Sequence, residues 1–223
     1  IVADASVLLN EARPDVVHIV TPPHTHASLA MQALRAGCHV YVEKPFTPSL
    51  AEAREVLALA AERNLRVVAG HQVLFERPAL DASAELGRIG QLVHVESHFS
   101  FRSVRRTISA VEQCKDVLPH AVYPLVQQLR AGSGLADAPI AIRGIDARAS
   151  GDLYALLRVG DCTGILEVSL SGRPVEQYQN LIGTNGSLRV DYITGSVVRL
   201  IGPGAGLGVL FTPYRRAFKT IGG

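Results

Sequence analysis

Along the first third of the chain, short apolar runs alternate with longer amphipathic stretches. "DVVHIVTPP" (15–23) is an apolar run stopped by two prolines, the pattern of a buried parallel strand. Ala27, Ala30, Met31 and Leu34 then recur at helical spacing, and Gly37 supplies a C-terminal stop. "CHVYV" (38–42) predicts the next strand. Pro48 in a first turn, a Ser49/Glu52 capping box and a buried stripe of Leu50, Ala53, Leu57 and Ala60 predict a second helix. Its wet side carries Glu52, Glu55, Glu62 and Arg63. "RVVAG" (66–70) predicts a third strand. Short loops between these elements imply right-handed parallel βαβ units.

After residue 76 the pattern changes. "GQLVHVESHFSF" (90–101) alternates at period two, with Leu92, His94, Glu96 and His98 on one face and Val93, Val95, Ser97 and Phe99 on the other. A helix is expected over roughly 116–130, then strands near 140–149, 152–160, 162–171, 177–183, 187–192 and 196–201. Asn185-Gly186 is a hairpin signal. The expected architecture is a partial parallel α/β unit over 1–76, then a mostly antiparallel open-faced sheet with few helices over 77–223.

Composition narrows the setting. The 223 residues are 48% hydrophobic and 19% charged with net charge +2, so no basic field points to nucleic acid or an anionic membrane. Cys38, Cys114 and Cys162 are odd in number and far apart, against a disulfide framework or a CxxC metal site and in keeping with a reducing, cytoplasmic compartment. No apolar run reaches the length of a spanning helix, and no signal peptide is visible. The glycine-rich "GPGAGLG" (202–208) lacks GxGxxG spacing and reads as a plain loop.

Chemistry gathers at the strand ends. In open α/β sheets ligands bind beyond the carboxyl ends of the strands. Thr21 and Pro22, then Glu43, Lys44 and Pro45, then His71 and Gln72 occupy three such ends. "TPPHTHASLAMQALRAGCHVYVEKP" followed by "GHQVLF" resembles the Gfo/Idh/MocA family of NAD(P)-dependent oxidoreductases, which act on sugars, cyclitols and related hydroxy compounds. The similarity runs through 15–90 and returns in "KDVLPHAVYPL" (115–125) and "GTNGSLRVD" (183–191). It implies NAD or NADP as cofactor, and a Rossmann-like first domain ahead of a substrate-binding and oligomerisation domain. Lys44 then matches the lysine at the reacting oxygen, and Glu43 a residue near the nicotinamide ribose. Pro45 matches a proline often preceded by a cis bond. Thr21, Pro22 and His26 match the loop at the nicotinamide end, joined there by His71 and Gln72 at the next strand end. Asp116 and His120 match the Asp-xxx-His pair that binds substrate and exchanges its proton. Tyr123 stands in the substrate site where the family often has Asp, a departure that widens the substrate class.

The chemistry of these residue types agrees. Taking hydride from an alcohol carbon requires loss of the hydroxyl proton to a base. An ammonium beside that oxygen stabilises alkoxide character. Asp116 and His120, four apart, share a helix side. Pro119 is tolerated only in a first turn, which places the helix start at 116–118, with Asp116 as N-cap. His120 then sits at the positive end of the dipole, which favours a neutral imidazole.

Plainer readings exist for each residue taken singly. Asp116 can be a cap, His120 a structural histidine, Lys44 a solvated lysine and Glu43 a loop carboxylate. A His24/His26 metal pair lacks a third ligand. His94, Glu96 and His98 on one strand face fit an exposed or subunit-contacting sheet face better than a metal site. Leu153, Ala155 and Leu157, with Ile165 and Val168 nearby, mark the open sheet face as the interface of a homo-dimer or homo-tetramer. The Lys44–Pro45 bond is expected to be cis.

Nothing before Asp15 supplies the strand, Gly-rich turn, helix and acidic residue that open a dinucleotide-binding domain. At least one βαβ unit is therefore expected upstream. The chain alone is expected to bind NAD(P) weakly, with Val16, Val17, Ile19 and Val20 at an open edge. The competing class is a degenerate relative that binds a sugar or a protein partner through the same crevice.

Overall fold

The computed structural model describes residues 1, 3–102, 109–134 and 138–201. The glycine-rich stretch at 202–208 lies outside the described residues. Contacts divide the chain into two compact units, Ile1–Gln72 and Val73–Gly223.

The first unit runs α1 (Ala5–Glu11), β1 (Val16–Ile19), α2 (His26–Arg35), β2 (His39–Val42), α3 (Leu50–Glu62) and β3 (Val67–Ala69). Its sheet has the order β1-β2-β3, all parallel, with Val17 opposite Val40 and Val42 opposite Ala69. The sequence predicts these strands because two β-branched runs end at prolines and the third at a glycine. α2 stops at Ala36, and Gly37 takes the φ of +88° that closes the turn. The core joins Ile19, Val40 and Val42 to Ala27, Ala30, Leu34, Val56 and Ala60. Alanines on α2 let the helix lie close to the sheet. Leu34, fully buried, contributes roughly 1.5–3 kcal/mol through its burial.

Three details of this unit depart from expectation. Helix α1, capped where Asp4 accepts the Ser6 amide at 2.6 Å, precedes β1. The Ser49/Glu52 capping box is present, but Ser49 is the N-cap, so Pro48 lies outside the helix rather than in its first turn. The buried stripe of α3 is Val56 with Ala60, and Leu50 and Leu57 are exposed. With the helix starting at Leu50, the face toward the sheet follows positions 53, 56 and 60. β1 is half open: Ile19 is buried, whereas Val16 and Val20 are exposed.

The second unit opens with α4 (Arg77–Glu85) and β4 (Leu92–Ser100), then α5 (Ala110–Val117) and α6 (Pro119–Ser133). Six strands follow: β5 (Ala141–Ala147), β6 (Leu153–Val159), β7 (Cys162–Ser169), β8 (Gln177–Gly183), β9 (Gly186–Asp191) and β10 (Ser196–Ile201). The sheet order is β10-β9-β8-β4-β7-β6-β5, with β4 and β7 parallel and the other pairs antiparallel. α6 covers one face, packing on β4 and β7. Leu125 and Leu129 sit over Gly164, where a Cβ would meet Leu129 Cδ1 at 2.8 Å.

The strand and hairpin expectations hold, with local corrections. A β-bulge between Leu92 and His94 reverses the first two faces of β4: Leu92 is buried with Val95 and Phe99, and Val93 is exposed. The β8–β9 hairpin closes on Gly183 and Gly186, so Thr184 and Asn185 form the turn. In place of one helix from 116, two occur, α5 and α6. Leu153, Ala155 and Leu157 pack toward the helix-covered core and Val168 is fully buried, so the open face instead carries the cross-strand pair Leu156 and Ile165. All three cysteines are buried free thiols. No helix among the described residues is long and apolar enough to cross a membrane.

Candidate active site

In the first unit the three strand ends are tied together through the backbone. The Glu43 amide donates to Ile19 O at 2.9 Å, and the Gly70 amide donates to Val42 O at 2.7 Å. Each strand end therefore holds its neighbour one residue beyond the regular ladder. Gly70 eases this approach: a Cβ there would lie 3.0 Å from Tyr41 Oη and 3.1 Å from both Glu43 Cα and Val42 O. The glycine after "VVA" was the available sequence signal for that contact.

Lys44 follows β2 at the centre of this arrangement and is half-buried. Its amide donates to Glu43 Oε2 at 3.0 Å, so the Glu43 carboxylate braces the turn. The Lys44–Pro45 bond is cis, as expected. Thr21 and Pro22 are exposed beyond β1. Thr21 Oγ1 lies 2.6 Å from Thr25 Oγ1, and Thr25 in turn donates to Pro22 O at 2.8 Å. His26, by contrast, is 1% exposed. Its Nδ1 lies 2.9 Å from Pro45 O and its Nε2 2.7 Å from Thr21 O. Both ring nitrogens are thus occupied by the backbone of the two loops, and the ring joins the loops rather than lining them. His71 is half-buried, and burial pulls its pKa down; Gln72 beside it is exposed.

In the second unit His120 is the second residue of α6, behind Pro119. The expected start of this helix is corrected by three residues or fewer, and Asp116 is not its cap. Asp116 lies exposed in the last turn of α5, whose N-cap is Ser109 in a capping box with Glu112. Pro119 has no N–H to continue α5, which separates the two helices. Leu118 between them keeps helical dihedrals of φ −47° and ψ −41°, so Asp116 and His120 remain about one turn apart.

β4 and β8 hold His120. Its ring stacks on Phe99 with centroids 4.9 Å apart and an interplanar angle of 10°. Pro124, inside α6, lacks the N–H that would reach back four residues to the His120 carbonyl. That carbonyl accepts from Gln177 Nε2 at 3.1 Å. Ser97 Oγ donates to Ala121 O at 2.8 Å, fixing the same turn. Phe99 and Gln177 were missed as site residues. Ser97, a polar residue on the apolar face of β4, was the one sequence signal. Tyr123 is half-buried, and burial raises its pKa. Among the described residues no three His, Cys, Asp or Glu side chains are grouped to hold a metal ion.

Residues 2–71 match the model of the oxidoreductase family described as having an NAD-binding Rossmann fold. Over these residues the chain is matched to the Gfo/Idh/MocA oxidoreductase family. Uncharacterized oxidoreductase YhhX of Escherichia coli is 39% identical over 114 residues, 50% of this chain and 33% of that protein. A dTDP-3,4-didehydro-2,6-dideoxy-alpha-D-glucose 3-reductase of Streptomyces violaceoruber is 31% identical over 197 residues, 82% of this chain and 56% of that protein. The chain thus spans only part of the length of these curated relatives. Among solved structures, UDP-N-acetylglucosamine 3-dehydrogenase GnnA of Acidithiobacillus ferrooxidans shares the fold with a TM-score of 0.72 at 23% identity. That match covers 92% of this chain and 64% of that one.

Proposed function

We propose that this member of the Gfo/Idh/MocA family serves an NAD(P)-dependent oxidoreductase that interconverts a secondary alcohol and a carbonyl on a sugar or related hydroxy compound. The observation that carries this is the position of Lys44, a cation just beyond the carboxyl end of the central parallel strand, where Val42 and Glu43 before it are tied to the two neighbouring strand ends. The relatives named for UDP- and dTDP-sugars support a nucleotide-linked sugar as the first substrate class to try.

NAD or NADP, when bound, accepts or supplies the hydride. The exposed Thr21 hydroxyl and the Glu43–Lys44 turn, at adjoining strand ends, fit the nicotinamide half of such a cofactor. In the oxidising direction His120 takes the hydroxyl proton as hydride leaves the carbon, and Lys44 stabilises the oxygen as its negative charge grows. Asp116 and Tyr123 hold neighbouring hydroxyls of the substrate. Leu156 and Ile165, on the open sheet face, pack against a second copy of the chain.

The test is a screen of UDP-sugars, dTDP-sugars, free sugars and cyclitols with NAD and NADP, on the chain in its full-length context. Lys44→Ala and His120→Ala should each lower turnover by about 10²–10⁴-fold, with cofactor affinity changed far less. Near-normal turnover in both variants refutes the assigned roles. Sugar binding without any reduction or oxidation of cofactor would mark a binding module instead.

A further inference from the structure

We propose that His26 is a positioning residue held as an imidazolium, which staples the loop after β1 to the loop after β2 by donating from both ring nitrogens. Its partners are the carbonyl oxygens of Pro45 and Thr21, at 2.9 and 2.7 Å. A carbonyl oxygen only accepts, so each of these contacts requires an N–H on the ring. Neutral imidazole has one N–H and the cation has two. In a neutral ring one carbonyl would press its lone pairs against a nitrogen lone pair, in a place sealed from water, since His26 is 1% exposed. Two charge-assisted hydrogen bonds remove that conflict.

The opposing influences are clear. His26 opens α2, whose amino-terminal dipole disfavours a cation, and burial disfavours any charge. Titratable residues on the elements around α2 are Glu11 on α1, His18 on β1, His24 in the turn before α2, His39 and Tyr41 on β2, Glu43 and Lys44 after β2, and Glu52, Arg54, Glu55 and Glu62 on α3. Among the described residues none of these forms a hydrogen bond or ion pair with the ring, whose partners are the two carbonyls. Glu43 is engaged by the Lys44 amide and Glu52 by Ser49. β1 and β2 turn His18 and Tyr41, stacked on each other, to the sheet face opposite the α2 core. The two carbonyls are therefore what holds the second proton.

The consequence is a pH-dependent link between two loops that the proposed function places at the nicotinamide end. While the ring is charged, the Thr21 and Lys44 loops are held to one another. Once it loses a proton, one carbonyl is released and the loops move independently. Only this functional consequence rests on the proposed function; the charge state does not.

The test is NMR of the chain with ¹⁵N in the histidine rings and ¹³C in the carbonyls, followed from pH 5.5 to 9. Both His26 ring nitrogens should carry protons at pH 6. The carbonyl resonances of Thr21 and Pro45 should then move together, with the same midpoint as the ring. In His26→Gln those two carbonyl titrations should vanish. A His26 ring with one bare nitrogen at pH 6 overturns the proposal, and the wild-type spectrum decides this even where the variant fails to fold. The measurement needs no cofactor. A doubly protonated His26 in a protein that binds no NADH would refute the proposed function while leaving this inference standing.

Discussion

Replacing Asp152 by asparagine should destabilise the second unit by about 1–1.5 kcal/mol near neutral pH, an effect that fades in acid. Asp152 follows Gly151, whose φ of +87° turns the chain into β6. Its Oδ1 accepts from Ser169 Oγ at 2.6 Å, Leu170 N at 3.2 Å and Ser171 N at 3.3 Å. Its Oδ2 accepts from Ser150 Oγ at 2.6 Å and Ser171 Oγ at 3.0 Å. These bonds, those of the Ser150 and Ser169 hydroxyls foremost, hold the carboxyl down at about 2 against an ordinary 3.8. That difference is equivalent to about 2.4 kcal/mol at most. The cluster is partly open to water, and screening reduces it to about half.

The folded value lies below the unfolded one. The stabilisation is therefore complete above the unfolded value and is lost as pH falls through the folded value, with about half gone near pH 3. Asparagine keeps the shape and one acceptor oxygen but carries no charge to titrate. Urea unfolding of both proteins, followed by far-UV circular dichroism from pH 7 to pH 3, should show the gap between them narrowing by about half. A gap that stays constant across this range would mean the charge contributes nothing. Equal midpoints at pH 7 would mean that the serine cluster stabilises the loop without it.

Other outcomes follow from the same geometry. Gln177→Leu leaves the His120 carbonyl without this donor and should cost about 1 kcal/mol in thermal stability, with displaced His120 ring resonances by NMR; an unmoved ring would deny the positioning role. Gly183→Ala drives a Cβ into the Ile89 carbonyl oxygen and should cost about 1–3 kcal/mol by denaturant unfolding. A cost near zero would mean that the strand end gives way. Ile165→Glu should dissociate the assembly in sedimentation at micromolar concentration, and a wild type that already sediments as a monomer removes the interface proposal.

How much of this was legible depended on the range of the interactions involved. The βαβ order could be read because its signals are local: prolines that stop strands, Gly37 at a positive φ, and the Ser49/Glu52 box. Ser109 and Glu112 form the same box, and recognising it would have given α5 and removed Asp116 from the N-cap. α1 and α4 leave little trace in the sequence, because neither carries a long apolar stripe. The buried face of α3 is ambiguous in the sequence because leucines and alanines offer two overlapping stripes, and only packing into the core chooses between them. The bulge in β4 has no composition signal, and it reverses Leu92 and Val93. Phe99 and Gln177 reach His120 from strands distant in sequence, and such contacts leave no periodic trace.

Proline ties the readable part of the site to its chemistry. Thr21, Lys44 and His120 each adjoin one: Pro22, Pro45 and Pro119. Proline offers no N–H to a strand ladder or to a helix interior, so the regular structure ends where it stands. Beyond β1 and β2 the Thr21 and Pro45 carbonyls lie off the ladder, and both turn to His26. At Pro119 the missing donor ends α5 and starts α6, which puts His120 in a first turn. Pro124 repeats the effect within α6, where the His120 carbonyl bonds Gln177 on β8 instead. At Pro124 the missing backbone donor thus leaves a polar group of a candidate functional residue to be satisfied by tertiary structure. A proline therefore stands beside each of these candidate residues, and Pro124 is what frees the His120 carbonyl for the neighbouring sheet.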